Sequence, residues 1–254
     1  RQMCIRDSYK NKITYLPDEK KTTVMDGHGG YMNGSRYYGE DLPINTWYMK
    51  RFAGLSEDGL SLWYYTDKET NEEKTTTTYS TGDFYLCGDP NPDLYGGFGT
   101  SITFHGFDLS TQFSYLVGGL TYDYGYAGMM GNPTATSVGN RWHKDVLKAW
   151  SPENPSSTIP RWHFNDLNTT GSSDRFLIDG SYLNLQNIQV GYTLPDSWTS
   201  HLKIKNLRLY FVCDNVYYWS KRKGLDPRRS ISGVGTSGKI APFRTYSGGI
   251  SLQF

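Results

Sequence analysis

The sequence predicts an all-β fold: an antiparallel transmembrane β-barrel piece, an open curved sheet of about seven or eight strands with long loops at one end. Three observations carry this. The 254 residues include 28 Gly, 11 Pro and 21 Tyr, and 15% are aromatic, a mixture of turn formers and strand formers rather than the aliphatics of a helical bundle. Several blocks alternate strictly between apolar and polar residues, the period of a strand with one wet face. The connections are unequal, some of two residues and some of dozens, as in outer-membrane barrels with short turns on one side and long loops on the other.

Taken along the chain, residues 66–82 are a polar, Thr- and Glu-rich stretch, expected as a solvated loop tip. In 95–104, Phe98, Ile102 and Phe104 share one parity while Ser101 and Thr103 take the other. His105-Gly106 then supplies a two-residue turn. The next strand, 107–117, sets Phe107, Leu109, Thr111, Phe113, Tyr115 and Val117 against Asp108, Ser110, Gln112 and Ser114. Residues 119–180 follow as a long irregular stretch. Segment 181–193 resumes alternation with Leu183 and Leu185, but Ile188 and Val190 change parity, which calls for a bulge near Asn187. Leu194-Pro195 ends that strand. In 207–219, Leu207, Leu209, Phe211 and Cys213 oppose Arg208, Tyr210, Val212 and Asp214. After a second long stretch, 220–242, the segment 246–254 alternates Tyr246, Gly248, Ile250, Leu252 and Phe254 with Ser247, Gly249, Ser251 and Gln253.

The same residues exclude much. A net charge of +1 argues against nucleic-acid binding by bulk charge. No apolar run approaches the ~18 residues of a membrane helix, and no apolar signal region opens the chain. Cys4, Cys87 and Cys213 are too widely spaced for a CxxC metal site. The repeated Arg-Trp-His at 141–143 and 161–163 has no HExxH pattern or fixed carboxylate beside it. Asp89-x-Asn91-x-Asp93 opens like a calcium loop, but Pro90 and Pro92 interrupt it and the turn glycine is missing. No nucleophile elbow, P-loop or dinucleotide fingerprint occurs, so neither an enzyme nor a cofactor is expected.

Five stretches then carry a resemblance. Gly88-Asp-Pro-Asn-Pro-Asp-Leu-Tyr-Gly-Gly-Phe98 with Phe104-His-Gly-Phe-Asp-Leu109 comes first, then Trp150-Ser-Pro-Glu-Asn-Pro155. Asp179-Gly-Ser-Tyr-Leu-Asn-Leu-Gln-Asn-Ile188 follows with Gly191-Tyr-Thr-Leu-Pro195. Leu207-Arg-Leu-Tyr210 with Asn215 and Gly224-Leu-Asp-Pro227 is fourth, and Arg244-Thr-Tyr246 with terminal Phe254 is last. In this order, over residues 30–254, they resemble the SusC/RagA-type TonB-dependent outer-membrane transporters. The resemblance implies a C-terminal barrel part at 9–254, without the plug and N-terminal domains of the longer family chain, located in the outer membrane. It reads Asp89–Asp93 as a strand-entry turn. It also implies import of oligosaccharides or peptides with TonB energy. The partners it implies are a SusD-like surface lipoprotein, the TonB complex, outer-membrane lipid and the barrel assembly machinery. Residues 1–8 fit no strand pattern and are expected to be a non-native leader.

Within that frame, Trp142, Trp150 and Trp162 with Arg141 and Arg161 are the candidate substrate contacts, since rings stack on sugars or peptide side chains and Arg adds hydrogen bonds. Tyr246, Ile250, Leu252 and Phe254 are the candidate assembly signal. Aromatic clusters at 47–48, 63–65 and 217–219 are either membrane-interface girdles or sugar platforms, with 217–219 assigned to the girdle. The alternative is a soluble secreted β-sandwich glycan-binding module. The two readings differ at Phe107, Leu109, Phe113, Tyr115 and Val117: a barrel turns them to lipid, and a sandwich buries them under a second sheet.

Overall fold

The computed structural model describes residues 2–7 (backbone only), 11–135, 139, 141–169, 171–199, 204–222, 225–228, 229 (backbone only), 233 and 242–254. Its largest element is an antiparallel sheet of six strands. In spatial order they are Gln2–Asp7, Leu94–Phe104, Phe107–Val117, Tyr182–Thr193, Asn206–Ser220 and Thr245–Gln253. About seven or eight had been expected; the remaining strands are short and form three smaller sheets.

The 94–104 and 107–117 strands pair as an eleven-residue hairpin from Leu94↔Val117 to Phe104↔Phe107. His105 and Gly106 both have positive φ, 47° and 82°. That is the left-handed pair of a type I′ turn, whose twist matches the strands it joins. In the 182–193 strand, both neighbouring ladders shift register between Leu185 and Asn187. The extra residue, Gln186, returns Ile188 and Val190 to the face of Leu183 and Leu185, at the place where the parity change requires it. Thr245–Gln253 pairs with Asn206–Asp214 and forms one edge of the sheet.

The other edge of the sheet is formed by the N-terminal residues. Gln2–Asp7 pairs antiparallel with Tyr95–Thr100, although its sequence has no strand pattern. An unpaired strand edge recruits backbone with little regard to side chains, so the ladder forms regardless. Arg1 and Ser8 lie outside the described residues.

The connections fall unequally at the two ends of this sheet. The 105–106 turn and the 194–205 connection are at one end. The 118–181 and 221–244 connections leave from the other. That end also carries a folded unit of short strands. A five-stranded sheet contains Thr23–Met25, His28–Asn33, Arg36–Gly39, Thr46–Lys50 and Phe84–Leu86. A three-stranded sheet contains Phe52–Leu55, Ser61–Thr66 and Glu73–Thr76, and Leu120–Tyr122 pairs with Leu177–Asp179. Two expectations are corrected here. Residues 66–82 are half of a hairpin, with Glu73–Thr76 on Trp63–Thr66, not a loop throughout. Segment 119–180 holds a strand pair and the helix Tyr124–Met129, capped by the Asp123 carboxylate accepting from Tyr126 N–H.

The unit has a core of its own: Trp47, Met49, Tyr122, Met130 and Phe176. Trp47 is fully buried and its indole N–H donates to Leu120 O at 3.1 Å. The Arg36 guanidinium covers its ring at 3.1 Å, and burial pushes the Arg36 pKa down to about 10. Lys50, also buried, donates to the carbonyls of Tyr79, Ser80 and Gly82. Trp63 is buried against Phe52 and Tyr79. Trp47 and Trp63 are therefore core anchors, neither girdle nor sugar platform.

Candidate functional site: a two-faced barrel wall and its loop cap

Register places every directly paired residue on one face, so the two faces of the large sheet can be read strand by strand. One face carries Phe98, Ile102 and Phe104, then Phe107, Leu109, Phe113 and Tyr115, then Leu183, Leu185, Ile188, Val190 and Tyr192. It continues with Leu209, Phe211, Cys213, Tyr217 and Trp219, and ends on Tyr246, Ile250 and Leu252. These side chains have no second sheet over them. Phe107 is 57% exposed and Ile250 66%. Phe113 and Tyr115 are half-buried, with the neighbouring Phe98 ring 4.8 Å from Phe113 and 6.4 Å from Tyr115. The sandwich alternative required all of them covered and is overturned. Tyr217 and Trp219 lie edge to face at 4.8 Å on this surface, at the long-loop end, each 48% exposed. That is the girdle position, ring in the apolar band and polar tip at its margin.

The opposite face is polar. Asp108 and Arg208, on strands separated by the 182–193 strand, form a two-point ion pair at 2.9 and 2.6 Å. The pair passes over Gly191, where a Cβ would strike both partners. Asn187 donates to Asp214 at 2.6 Å. At the long-loop end, Arg228 makes two bonds to Asp226, both 2.7 Å, and donates to Asn184 Oδ1 and Asn215 Oδ1 at 2.7 and 2.9 Å. Asn215 has φ 52°, the left-handed conformation Asn tolerates at a bulge. Apolar outside, polar and hydrogen-bonded inside, with short turns at one end, is the wall of an outer-membrane β-barrel.

The candidate contacts of the loop cap divide. Trp142 and Trp162 meet edge to face at 5.4 Å, and Trp142 donates to Gly131 O. Trp162 and Arg141 are exposed. Trp150 lies over Gly59, leaving no room for a side chain there. Arg161 N–H donates to Gly59 O, and the Arg161 Nε is buried without a hydrogen-bond partner. The structure thus brings Trp142 and Trp162 together and sets Trp150 apart, against the Ser56–Leu60 turn. Tyr246, Ile250 and Leu252 share the outer face of the edge strand, with Phe254 exposed beyond it.

His143 accepts from Asp145 N–H and packs on Tyr126, and no metal-binding cluster occurs among the described residues. Asp89 Oδ1 accepts from Asn91 N–H at 2.9 Å, an Asx turn leading into the 94–104 strand. His201 and Gly224 lie outside the described residues. The Asp108–Gly191–Arg208 bridge was missed in the sequence reading. Its one signal was charged residues of opposite sign on the polar parity of two strands.

No protein-family model matches the chain. It is 28% identical over 275 aligned residues to TonB-dependent receptor P3 of Formosa agariphila, covering 96% of this chain and 26% of that one. It is 27% identical over 182 residues to TonB-dependent receptor SusC of Bacteroides thetaiotaomicron, covering 70% and 17%. A solved structure of the RagAB peptide transporter superposes with TM-score 0.72 at 25% identity, covering 88% of this chain and 24% of that one. Over most of its length the chain is therefore similar to the SusC/RagA type of TonB-dependent receptors, which are outer-membrane β-barrel proteins. It spans about a quarter of the length of the receptor P3 and RagAB chains.

Proposed function

We propose that residues 9–254 supply barrel wall and extracellular loops to an importer of oligosaccharides or peptides. TonB energises the importer and a SusD-like surface lipoprotein serves it. The observation that supports this reading best is the two-faced sheet: a lipid-facing apolar surface backed by a polar, ion-paired wall suits a water-filled or plugged lumen. Similarity to SusC and to the RagAB peptide transporter supports this partnership.

In this reading the exposed Trp162 ring, steadied by Trp142, touches the passing ligand with Arg141 beside it. Trp150 and Arg161 brace the loop through Gly59. The outer row of the 245–253 strand and Phe254 present alternate side chains to the assembly machinery, which captures a bare edge by strand addition.

The test is uptake of a labelled ligand by the native type of host. Uptake should vanish when the full-length gene is deleted and when an uncoupler collapses the proton gradient. Trp162→Ala should lower uptake with normal receptor abundance, while Trp150→Ala should lower both together. Uptake that survives the deletion or the uncoupler refutes energised import by this receptor.

A further inference from the structure

At the long-loop end the polar inner face carries an apolar row. Tyr95, Leu116 and Tyr182 are directly paired across three adjacent strands at the long-loop end. They form the floor of a half-enclosed cleft of about 430 Å³, within the range of small-ligand sites. Pro90, Thr121 and three glycines wall it. At Gly118 and Gly119, φ is 81° and 74°, and a Cβ on Gly119 would strike Pro90 O. The wall is therefore bare backbone by necessity.

Arg228 is the one charged residue among the described lining residues. Its charge is already spent: the guanidinium pairs at two points with buried Asp226 and donates to two Asn carbonyls. A carboxylate or sulfate ligand would have to break that network, and truncating a buried pair costs several kcal/mol. Among the described lining residues the cleft thus offers two aromatic rings, an aliphatic floor and hydroxyls, and its one charge, on Arg228, is already paired. That chemistry matches a neutral pyranose, whose C–H face packs on rings and whose hydroxyls take polar partners at the edge. It suits an extended peptide less well, because the described lining residues offer its backbone no open strand edge and its termini no unpaired charge.

We infer that the cleft over Tyr95, Leu116 and Tyr182 is a binding subsite for an uncharged sugar ring of an oligosaccharide. The inference rests on the import reading, since it names the substrate class of that lumen, but its test is binding rather than uptake.

The full-length receptor, purified in detergent, is titrated with neutral hexasaccharides (α-glucan, β-glucan, mannan and galactan), a hexa-uronate and a hexapeptide pool. At least one neutral hexasaccharide should bind. Its Kd should rise at least about tenfold in Tyr182→Ala, and stay within about threefold in Tyr182→Phe, where the ring remains. Heat-modifiable migration reports the folded barrel. Should Tyr182→Ala not fold, Tyr95→Ala carries the same expectation. Binding of the uronate or peptides alone, binding of nothing in the panel, or an unchanged Kd in the folded alanine variant overturns the inference. Neutral-sugar binding that depends on Tyr182, without energy-dependent uptake, would instead refute the import reading and leave the subsite standing.

Discussion

Gly191→Ala should destabilise the barrel, although alanine is the better strand residue. The φ of Gly191 is ordinary for a strand, so the backbone accepts alanine. Losing the flexibility of glycine should gain about 0.5–1 kcal/mol. The new methyl, however, enters the space through which Asp108 and Arg208 join. Their two bonds, 2.9 and 2.6 Å long, would part. Bonds to charged groups contribute about 1.5–3 kcal/mol, with the lower part of that range fitting a pair a quarter exposed to a wet lumen. The net expectation is a loss of about 1–2 kcal/mol. In an Asp108→Ala background the obstacle is gone, because Arg208 can swing aside. There Gly191→Ala should stabilise by about 0.5–1 kcal/mol. The assay is guanidinium unfolding of the detergent-solubilised full-length receptor, followed by tryptophan fluorescence, across the double-mutant cycle. The reasoning fails if Gly191→Ala has the same sign in both backgrounds.

Trp47→Ala should cost the loop unit about 3–5 kcal/mol, the usual range for emptying a large aromatic site. It also strips Arg36 of its ring and Leu120 O of a donor; limited proteolysis should cleave within 11–93 while the barrel stays heat-modifiable. A second expectation concerns acid. The Leu16 N–H bond, foremost, and the Lys21 ammonium hold the Glu40 carboxyl below its ordinary pKa. A depressed acid stabilises the fold above its unfolded pKa and loses that contribution as pH falls through the lowered value. The protection factor of Leu16 N–H, its exchange rate corrected for the intrinsic pH dependence of amide exchange, should therefore fall on acidification in that window, and Glu40→Gln should remove most of that fall. At the C-terminus, deleting Phe254 or replacing it with Asp should reduce folded receptor in the outer membrane with synthesis unchanged; undiminished folded receptor after both changes removes the assembly role.

The sequence alone determined the sheet, because period-2 alternation records which side chains meet lipid and which meet water. His105-Gly106 marked the turn, since only a pair tolerant of positive φ closes a two-residue hairpin. The parity break between Leu185 and Ile188 marked the bulge, since one extra residue is the only way to keep both on the same face. The strand at Gln2–Asp7 left no such mark, because an edge ladder needs backbone alone. The loop cap was illegible for a different reason. Trp47, Tyr122 and Phe176 are far apart in the chain, and their short strands have no solvent-facing rhythm, so only the tertiary structure could show one core. Charge was decided in the same way. Composition counts Asp108, Arg208, Asp226 and Arg228 as four ions, and folding joins them into two neutral pairs. The Tyr95–Leu116–Tyr182 row exists only because three strands come into register, which sequence separation hides and backbone pairing enforces.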